Sequence, residues 1–489
     1  MARQRNKRLF KRGERLELQI VDMAFGGKGI AKITSDEGEF IVFVANTLTG
    51  QTVEAAITKC KKRYAEARLE RLIAPSPEEI DLPYQDIPGA PFAHWPIHLQ
   101  EQHKQASALH LFRTIGEIEA PESKFDTFIS SPETWHYRNK MEYSFSAIRW
   151  DQELQKDVDE FALGFKKRGT WWMVENLNQD SGLFDMDFEN KLKSIRDYLE
   201  NTGLPPWHPP KKSGFFRHLV VRKSFAQDQL LVMLVCSSSH LDQFDVQAFS
   251  TFLQKLLGKR LAGFLFTLND EIADRTMATT GKSELIYGQD FLCERLCGLE
   301  FQMKMPSFFQ TNPKSAEQLY SKTLDYVFEH NYSDETSDRH VILDLFCGTG
   351  TISQCLAQRK ADHQKVIGVE LVKEAVEDAI ANAKRNQIES IDFYANDVGK
   401  FLLDHPEYKN RIDCVIMDPP RAGIAPKTLK KVIQLDAQRM VYVSCNPASQ
   451  ARDLKQLQDS GYEIIKFSFV DQFPHTSHVE SIVLLEKKS

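Results

Sequence analysis

Cys445 lies in the stretch YVSCNP, residues 442–447, where the apolar run 440–443 gives way to Asn446 and Pro447. A free cysteine is more often a small buried hydrophobe than a reagent, so its chemistry has to come from its surroundings. As a thiolate it is a strong nucleophile once a nearby base or charge lowers its pKa. A partner for such chemistry occurs in FPHTSHVESIVLL, residues 473–485, where Glu480 opens the last apolar run after His475 and His478. A glutamate opening a strand is commonly a surface residue. The start of an antiparallel last strand, however, can face the ends of parallel neighbours, which makes Glu480 the candidate general base.

A nucleophile paired with a base is more than methyl transfer to nitrogen or oxygen requires. Carbon 5 of a pyrimidine does require both, because it is not nucleophilic until a group adds at carbon 6. A thiolate adding there makes carbon 5 reactive, and a carboxylate then removes the proton from carbon 5 so that elimination frees the sulfur.

Four further positions point to the group donor. FCGTGT, residues 346–351, has Gly348 and Gly350 where a backbone turns tightly beside a ligand. It is not G-x-G-x-x-G and no Walker lysine follows, which argues against a dinucleotide and a triphosphate. Glu370 ends KVIGVE and can accept bonds from ribose hydroxyls. Asn396 and Asp397 in YANDVGKF can read an adenine edge or another part of the cofactor, and Asp418 opens DPPRAG, with Pro419 and Pro420 stiffening the loop. An adenosine-containing cofactor without a pyrophosphate is implied, and S-adenosylmethionine fits. The Asp-Pro-Pro loop would then face the transferring methyl group.

These residues need elements to hold them. VILDLF (341–346), KVIGVE (365–370), DCVIMD (413–418) and RMVYVS (439–444) are short apolar runs separated by helical segments such as VKEAVEDAIANAKRN. Buried parallel strands read this way, predicting an α/β Rossmann-like doubly wound sheet over residues 301–489 with its ligands beyond the strand ends. Residues 12–73 contain short alternating runs divided by Gly-Gly, Asp-Glu-Gly and Thr-Gly, which predict a small β-barrel of the kind that binds RNA. Residues 74–300 begin with a proline-rich linker and continue as mixed strands and helices, an α+β central domain.

Length and charge set the frame. The 489 residues exceed one hydrophobic core, so a multidomain chain is expected. No apolar run reaches the length of a membrane span, and the start MARQRNKRLFKRG lacks a signal-peptide core, so no membrane partner is expected. Eight cysteines without a framework spacing suit a reducing compartment, and a cytoplasmic monomer is the expectation. The net charge of −6 hides basic clusters at Arg3, Arg5, Lys7, Arg8, Lys11, Arg12 and Arg15, and again at residues 59–72. Such clusters fit a phosphate backbone or a solvated surface equally well.

YRNKMEYS (137–144), SFFQTN (307–312), LDLFCGTGTIS (343–353), DPPRAG (418–423), VYVSCNP (441–447) and HTSHVE (475–480) together resemble the S-adenosylmethionine-dependent RNA uracil-5-methyltransferase family. The resemblance spans nearly the whole chain, and the amino-terminal barrel is similar to the TRAM domain of its ribosomal RNA branch. It implies Cys445 as nucleophile, Glu480 as base, and cofactor contacts from Gln310, Phe346, Thr351, Glu370, Asp397 and Asp418. The implied partner is RNA, with 23S ribosomal RNA favoured over the T loop of transfer RNA. A cytosine enzyme would carry Pro-Cys after the fourth strand, where this chain has Pro419, Pro420 and Arg421. A relative without activity would have little reason to keep Cys445, Glu480, Asp418 and Glu370 together.

One departure stands out. Many relatives with this barrel hold an iron-sulfur cluster through Cys-x5-Cys-x2-Cys and a fourth cysteine. Leu82, Pro88, Pro91 and Leu177 occupy those positions here, and none can supply the thiolate that such clusters use. The expectation is no cluster and no metal, with apolar packing in its place.

Overall fold

The computed structural model describes all residues except 1–8, 36–37, 274, 277–282, 330–337, 409 and 489. Arg3, Arg5, Lys7 and Arg8 of the basic arm lie outside the described residues. Among the described residues no helix is long and apolar enough to cross a membrane.

Residues 15–74 form a six-stranded barrel. One stretch closes it, because Arg15–Gln19 pairs with Thr52–Cys60 while its continuation Asp22–Met23 pairs with Lys28–Ser35. At the crossing point the Ile20 N–H donates to Gln51 O and the Val21 N–H to Ile30 O, both at 2.8 Å. Alternate residues point inward as the pleat requires, so Leu18, Val42, Val44 and Val53 fill the interior.

The central region is a nine-stranded sheet running from Lys140 to Gly288. Helices Met186–Glu200 and Val246–Leu257 cover it, and Phe188, Leu192, Phe249 and Leu253 share one core with its strands. Part of the proline-rich linker joins the same core. Leu177 is fully buried, Leu82 packs against the cluster, and Ile87 and Ala90 are buried beside them. At Leu82 and Leu177, two of the four positions where relatives carry cluster cysteines, apolar side chains therefore fill the space.

The carboxyl-terminal region carries an eight-stranded sheet. Its strands, numbered in chain order, are β1 (Phe125–Ile129), β2 (Val341–Leu345), β3 (Lys365–Glu370), β4 (Ile391–Ala395), β5 (Ile412–Met417), β6 (Arg439–Ser444), β7 (Tyr462–Val470) and β8 (Glu480–Lys487). The order across the sheet is β4-β3-β2-β5-β6-β8-β7-β1. Strands β2 to β6 are mutually parallel, and β8 runs antiparallel between β6 and β7. The strand order reverses between β2 and β5, which opens a crevice at their carboxyl ends.

The boundary expected at residue 300 is crossed by an earlier segment. Helix α1 (Ile97–Thr114) and strand β1 belong to this sheet, since β1 pairs with β7, and Ala108, Leu109 and Phe112 of α1 share the core of β5 to β8. The central domain is thus an insertion between β1 and β2. Five residues of FDTFI carry no sign of a partner hundreds of positions away, which is why local pattern assigned them to the middle of the chain.

Candidate active site

The eight residues that the resemblance implied, Cys445, Glu480, Gln310, Phe346, Thr351, Glu370, Asp397 and Asp418, line one cavity of about 1540 Å³, and Asn396 does not. It opens at the carboxyl ends of the parallel strands. The far wall comes from Pro88, Gly89, Pro91, Arg138, residues 306–311 and the connection that follows β7.

The turn after β2 begins at Phe346, whose φ of 65° lies in the left-handed region. A non-glycine residue there is strained and persists only where its surroundings hold it. Gly350 has φ 74°, and a Cβ on it would come within 2.7 Å of the Phe393 ring, so only glycine fits. Helix α2 (Thr351–Arg359) starts directly after it with no cap from the Gly350 position, and in its first turn the Ser353 N–H is taken by the buried Asp344 carboxylate. Glu370 ends β3 and accepts the Gly348 N–H at 3.1 Å and the Val372 N–H at 2.9 Å, which ties the glycine turn to the next strand. Asp397 caps the Val398–Asp404 helix by accepting the Lys400 N–H at 2.9 Å and also lines the cavity. Asn396, named with it from the sequence, turns to Asp404 instead. Gln310 is held by the Asn139 amide, which donates to its carbonyl at 3.0 Å.

Asp418 follows β5 on the cavity floor. Burial raises it to about 7, and among the described residues no hydrogen-bond donor reaches its carboxylate. An acceptor left without a protein partner fits a ligand that brings donors or positive charge of its own. S-Adenosylmethionine carries both, and Glu370, with lone pairs remaining, suits ribose hydroxyls.

Cys445 follows β6 and Glu480 opens β8. The antiparallel register pairs Ser444 with Ser481, so the next position along brings Cys445 opposite Glu480. Glu480 is 3% exposed, and burial together with the Asp418 charge raises its carboxyl to about 8. Burial, then Glu480 and Asp418, raise the Cys445 thiol to about 11, while the Arg421 guanidinium pulls it down by charge and hydrogen bonding. His478 is pushed to about 4 by burial first and by Arg421 second, so it is neutral. Arg421 is fixed from behind, because its carbonyl accepts the Asn446 amide at 2.9 Å and the Ser449 hydroxyl at 3.1 Å.

Sequence reasoning used Arg421 only to argue against a cytosine enzyme. Its position directly after Asp-Pro-Pro was the available signal, since a strand-end loop that carries one functional side chain aims its neighbours at the same space. Arg138 and Phe308 also line the cavity, and Phe308 is 70% exposed there. Both fall inside the quoted motifs, where nothing local marked them. Among the described residues no group of three His, Cys, Asp or Glu side chains is placed to hold a metal ion.

The fold and the cavity define a methyltransferase of the doubly wound class fused to a small barrel. Residues 267–488 match the family model described as tRNA (Uracil-5-)-methyltransferase, and residues 9–69 match the TRAM domain. An uncharacterized RNA methyltransferase of Clostridium acetobutylicum is 36% identical over 98% of this chain and 99% of its own. One from Chlorobaculum tepidum is 32% identical over 98% of this chain and 97% of its own. The crystal structure of Pyrococcus abyssi tRNA (uracil-54, C5)-methyltransferase in complex with S-adenosyl-L-homocysteine superposes with a TM-score of 0.69. It is 22% identical and covers 96% of this chain and 99% of that one, a likeness of fold. The chain belongs to the S-adenosylmethionine-dependent RNA uracil-5-methyltransferase family and carries its TRAM domain.

Proposed function

We propose that the protein methylates carbon 5 of a uridine in structured RNA, with Cys445 as nucleophile and Glu480 as general base. The observation that carries this reading is the β6–β8 register, which sets thiol and carboxyl opposite each other in the cavity that also holds Asp418 and Glu370. S-Adenosylmethionine, held by Gln310, Phe346, Thr351, Glu370, Asp397 and Asp418, supplies the methyl group that carbon 5 takes. Cys445 Sγ forms a bond to carbon 6 of the uracil, and the electron pair of the 5,6 double bond moves toward carbon 5 and the ring carbonyl. After carbon 5 is methylated, Glu480 takes its remaining ring proton. The electron pair of that C–H bond restores the double bond and expels the thiolate. A base of about 8 is matched to this proton transfer at physiological pH. Arg421 favours the thiolate form of Cys445 at the start and at the end.

The uridine has to leave its stack to reach a cavity this deep. The TRAM barrel favours 23S ribosomal RNA as the substrate. The description of the matching family model supports transfer RNA as the second reading. The eight free cysteines favour the cytoplasm, and a monomer offers one cavity to one RNA loop.

Cys445→Ala tests the chemistry. The variant is expected to make no 5-methyluridine and to form no RNA adduct resistant to denaturant, and normal turnover would reject the covalent route. Mapping 5-methyluridine in 23S ribosomal RNA and transfer RNA from cells with and without the gene decides the substrate.

A further inference from the structure

Helix α1 buries one stripe, Gln100, Lys104, Ala108, Leu109 and Phe112. The spacing is that of a single helix face, yet its first half is polar and its second half apolar. The apolar half attaches the helix, with Phe112 against Phe467 and Phe469 at ring separations of 4.9 and 5.7 Å. The polar half meets residues 471–479, the connection from β7 to β8 that ends at Glu480.

Lys104 Nζ donates to Asp471 Oδ1 at 2.7 Å and to Phe473 O at 3.1 Å, with both charged side chains wholly out of solvent. Gln100 Oε1 accepts the His475 N–H at 2.8 Å, while its Nε2 donates to Phe92 O at 3.0 Å and Trp95 O at 2.6 Å and lies 3.1 Å from His475 Nδ1. Trp135 stacks on the His475 ring at 3.7 Å, and the Tyr137 hydroxyl donates to Pro474 O at 2.9 Å. His475 has φ 63°, a conformation that its surroundings must enforce.

A buried ion pair adds little net stability compared with apolar side chains of the same shape. Directional bonds to one short segment supply something apolar contact does not, a single defined path for the backbone. We propose that Lys104 and Gln100 are positioning residues which, through Asp471 and His475, fix the 471–479 connection and so set the Glu480 carboxyl against Cys445. The inference rests on the reading of Glu480 as base. It assigns a role in the reaction to a helix that lies more than three hundred residues before that base in the chain.

Lys104→Met alone leaves a buried carboxylate without its cation and is expected to fold poorly. The double variant Lys104→Met with Asp471→Asn keeps the interior neutral, and Gln100→Met breaks the bonds to His475, together with those to Phe92 O and Trp95 O, without touching a charge. In each, kcat is expected to fall about 10- to 100-fold. The KM for RNA and for S-adenosylmethionine should stay within about twofold, because the remote contacts are kept and only the reacting geometry is lost. The denaturant-stable RNA adduct should accumulate in both variants, since methyl transfer precedes the step that needs the base. A purely structural pair would lower thermal stability and leave kcat and adduct level as in the wild type. Wild-type kcat in the folded double variant or in folded Gln100→Met overturns the proposal. Glu480→Gln run alongside separates the two ideas. Absence of adduct in that variant rejects Glu480 as base, whereas adduct there with wild-type turnover in the α1 variants rejects only the positioning role.

Discussion

The two walls of the cavity are built by different means. The sheet-side wall, with Phe346, Glu370, Asp397, Asp418 and Cys445, consists of residues at strand ends, each placed by backbone ladders a few positions away. The opposite wall, with Pro88, Gly89, Pro91, Arg138, residues 306–311, Phe473, residues 476–478 and Glu480, has no ladder of its own until Glu480. Side chains from distant elements place it, as when Asn139 holds Gln310 and Gln100 holds His475. A wall of strand ends tolerates sequence change around it as long as the strands pair. A wall of long-range side-chain bonds depends on each partner for the placing of the residues bonded to it, and at Glu480 the two meet.

The sharpest break is expected where they meet. Glu480→Gln should slow turnover about 10²- to 10⁴-fold, the usual worth of a general base, while the RNA adduct accumulates. Gel mobility under denaturing conditions reads this directly, and clean turnover would remove Glu480 from the role. The linker side responds next. Leu177→Ala removes a fully buried side chain from the core that backs residues 82–90, and should cost about 2–5 kcal/mol of unfolding free energy in urea titrations. KM for RNA should rise in that variant while the KM for S-adenosylmethionine, whose proposed contacts apart from Gln310 lie on the sheet-side wall, holds.

The smallest effect concerns pH. Burial raises Glu480 from 4.5 to about 8 and Asp418 from 3.8 to about 7. Between about 4.5 and 7 the folded chain keeps protons that the unfolded chain has released, so stability falls as pH rises through this window. Each such proton contributes a slope of about 1.4 kcal/mol per pH unit. Glu480→Gln should remove one proton's share of that slope, measured as urea midpoints between pH 5 and about 7. An unchanged slope would mean that Glu480 is ionised in the folded resting protein.

The same contrast explains what could be read in advance. Parallel strands buried on both faces appear as apolar runs, and RMVYVS was legible to the residue as β6. Cys445, Glu370 and Asp418 stand at the ends of such runs, where ligands bind, so their place in the cavity could be reasoned from position alone. Arg421 is harder to read, because its place after Asp-Pro-Pro hints at the cavity but only the fold brings it beside the Cys445 thiol. Lys104 and Gln100 were beyond reach for a different reason. In IHLQEQHKQASALHLF the polar residues that are buried look like those that are exposed, and only the tertiary partner 367 positions away from Lys104 distinguishes them. Strand β1 was missed in the same way, its pairing being set entirely by β7.

That pairing carries a consequence for how the protein is made. The Lys124 ammonium, at the start of β1, donates to the carbonyl of Ile464, 340 positions later. A ribosome therefore releases β1 and the apolar face of α1 long before the strand that covers them exists. The barrel and the central sheet can complete themselves in that interval, because their pairings are internal. The methyltransferase domain cannot, and it waits with an open strand edge and bare Phe112 until β7 emerges. Long-range pairing of this kind slows folding and leaves nascent chains prone to association. Synthesis that stops before β7 would leave a chain with a finished barrel and no means of closing its catalytic sheet.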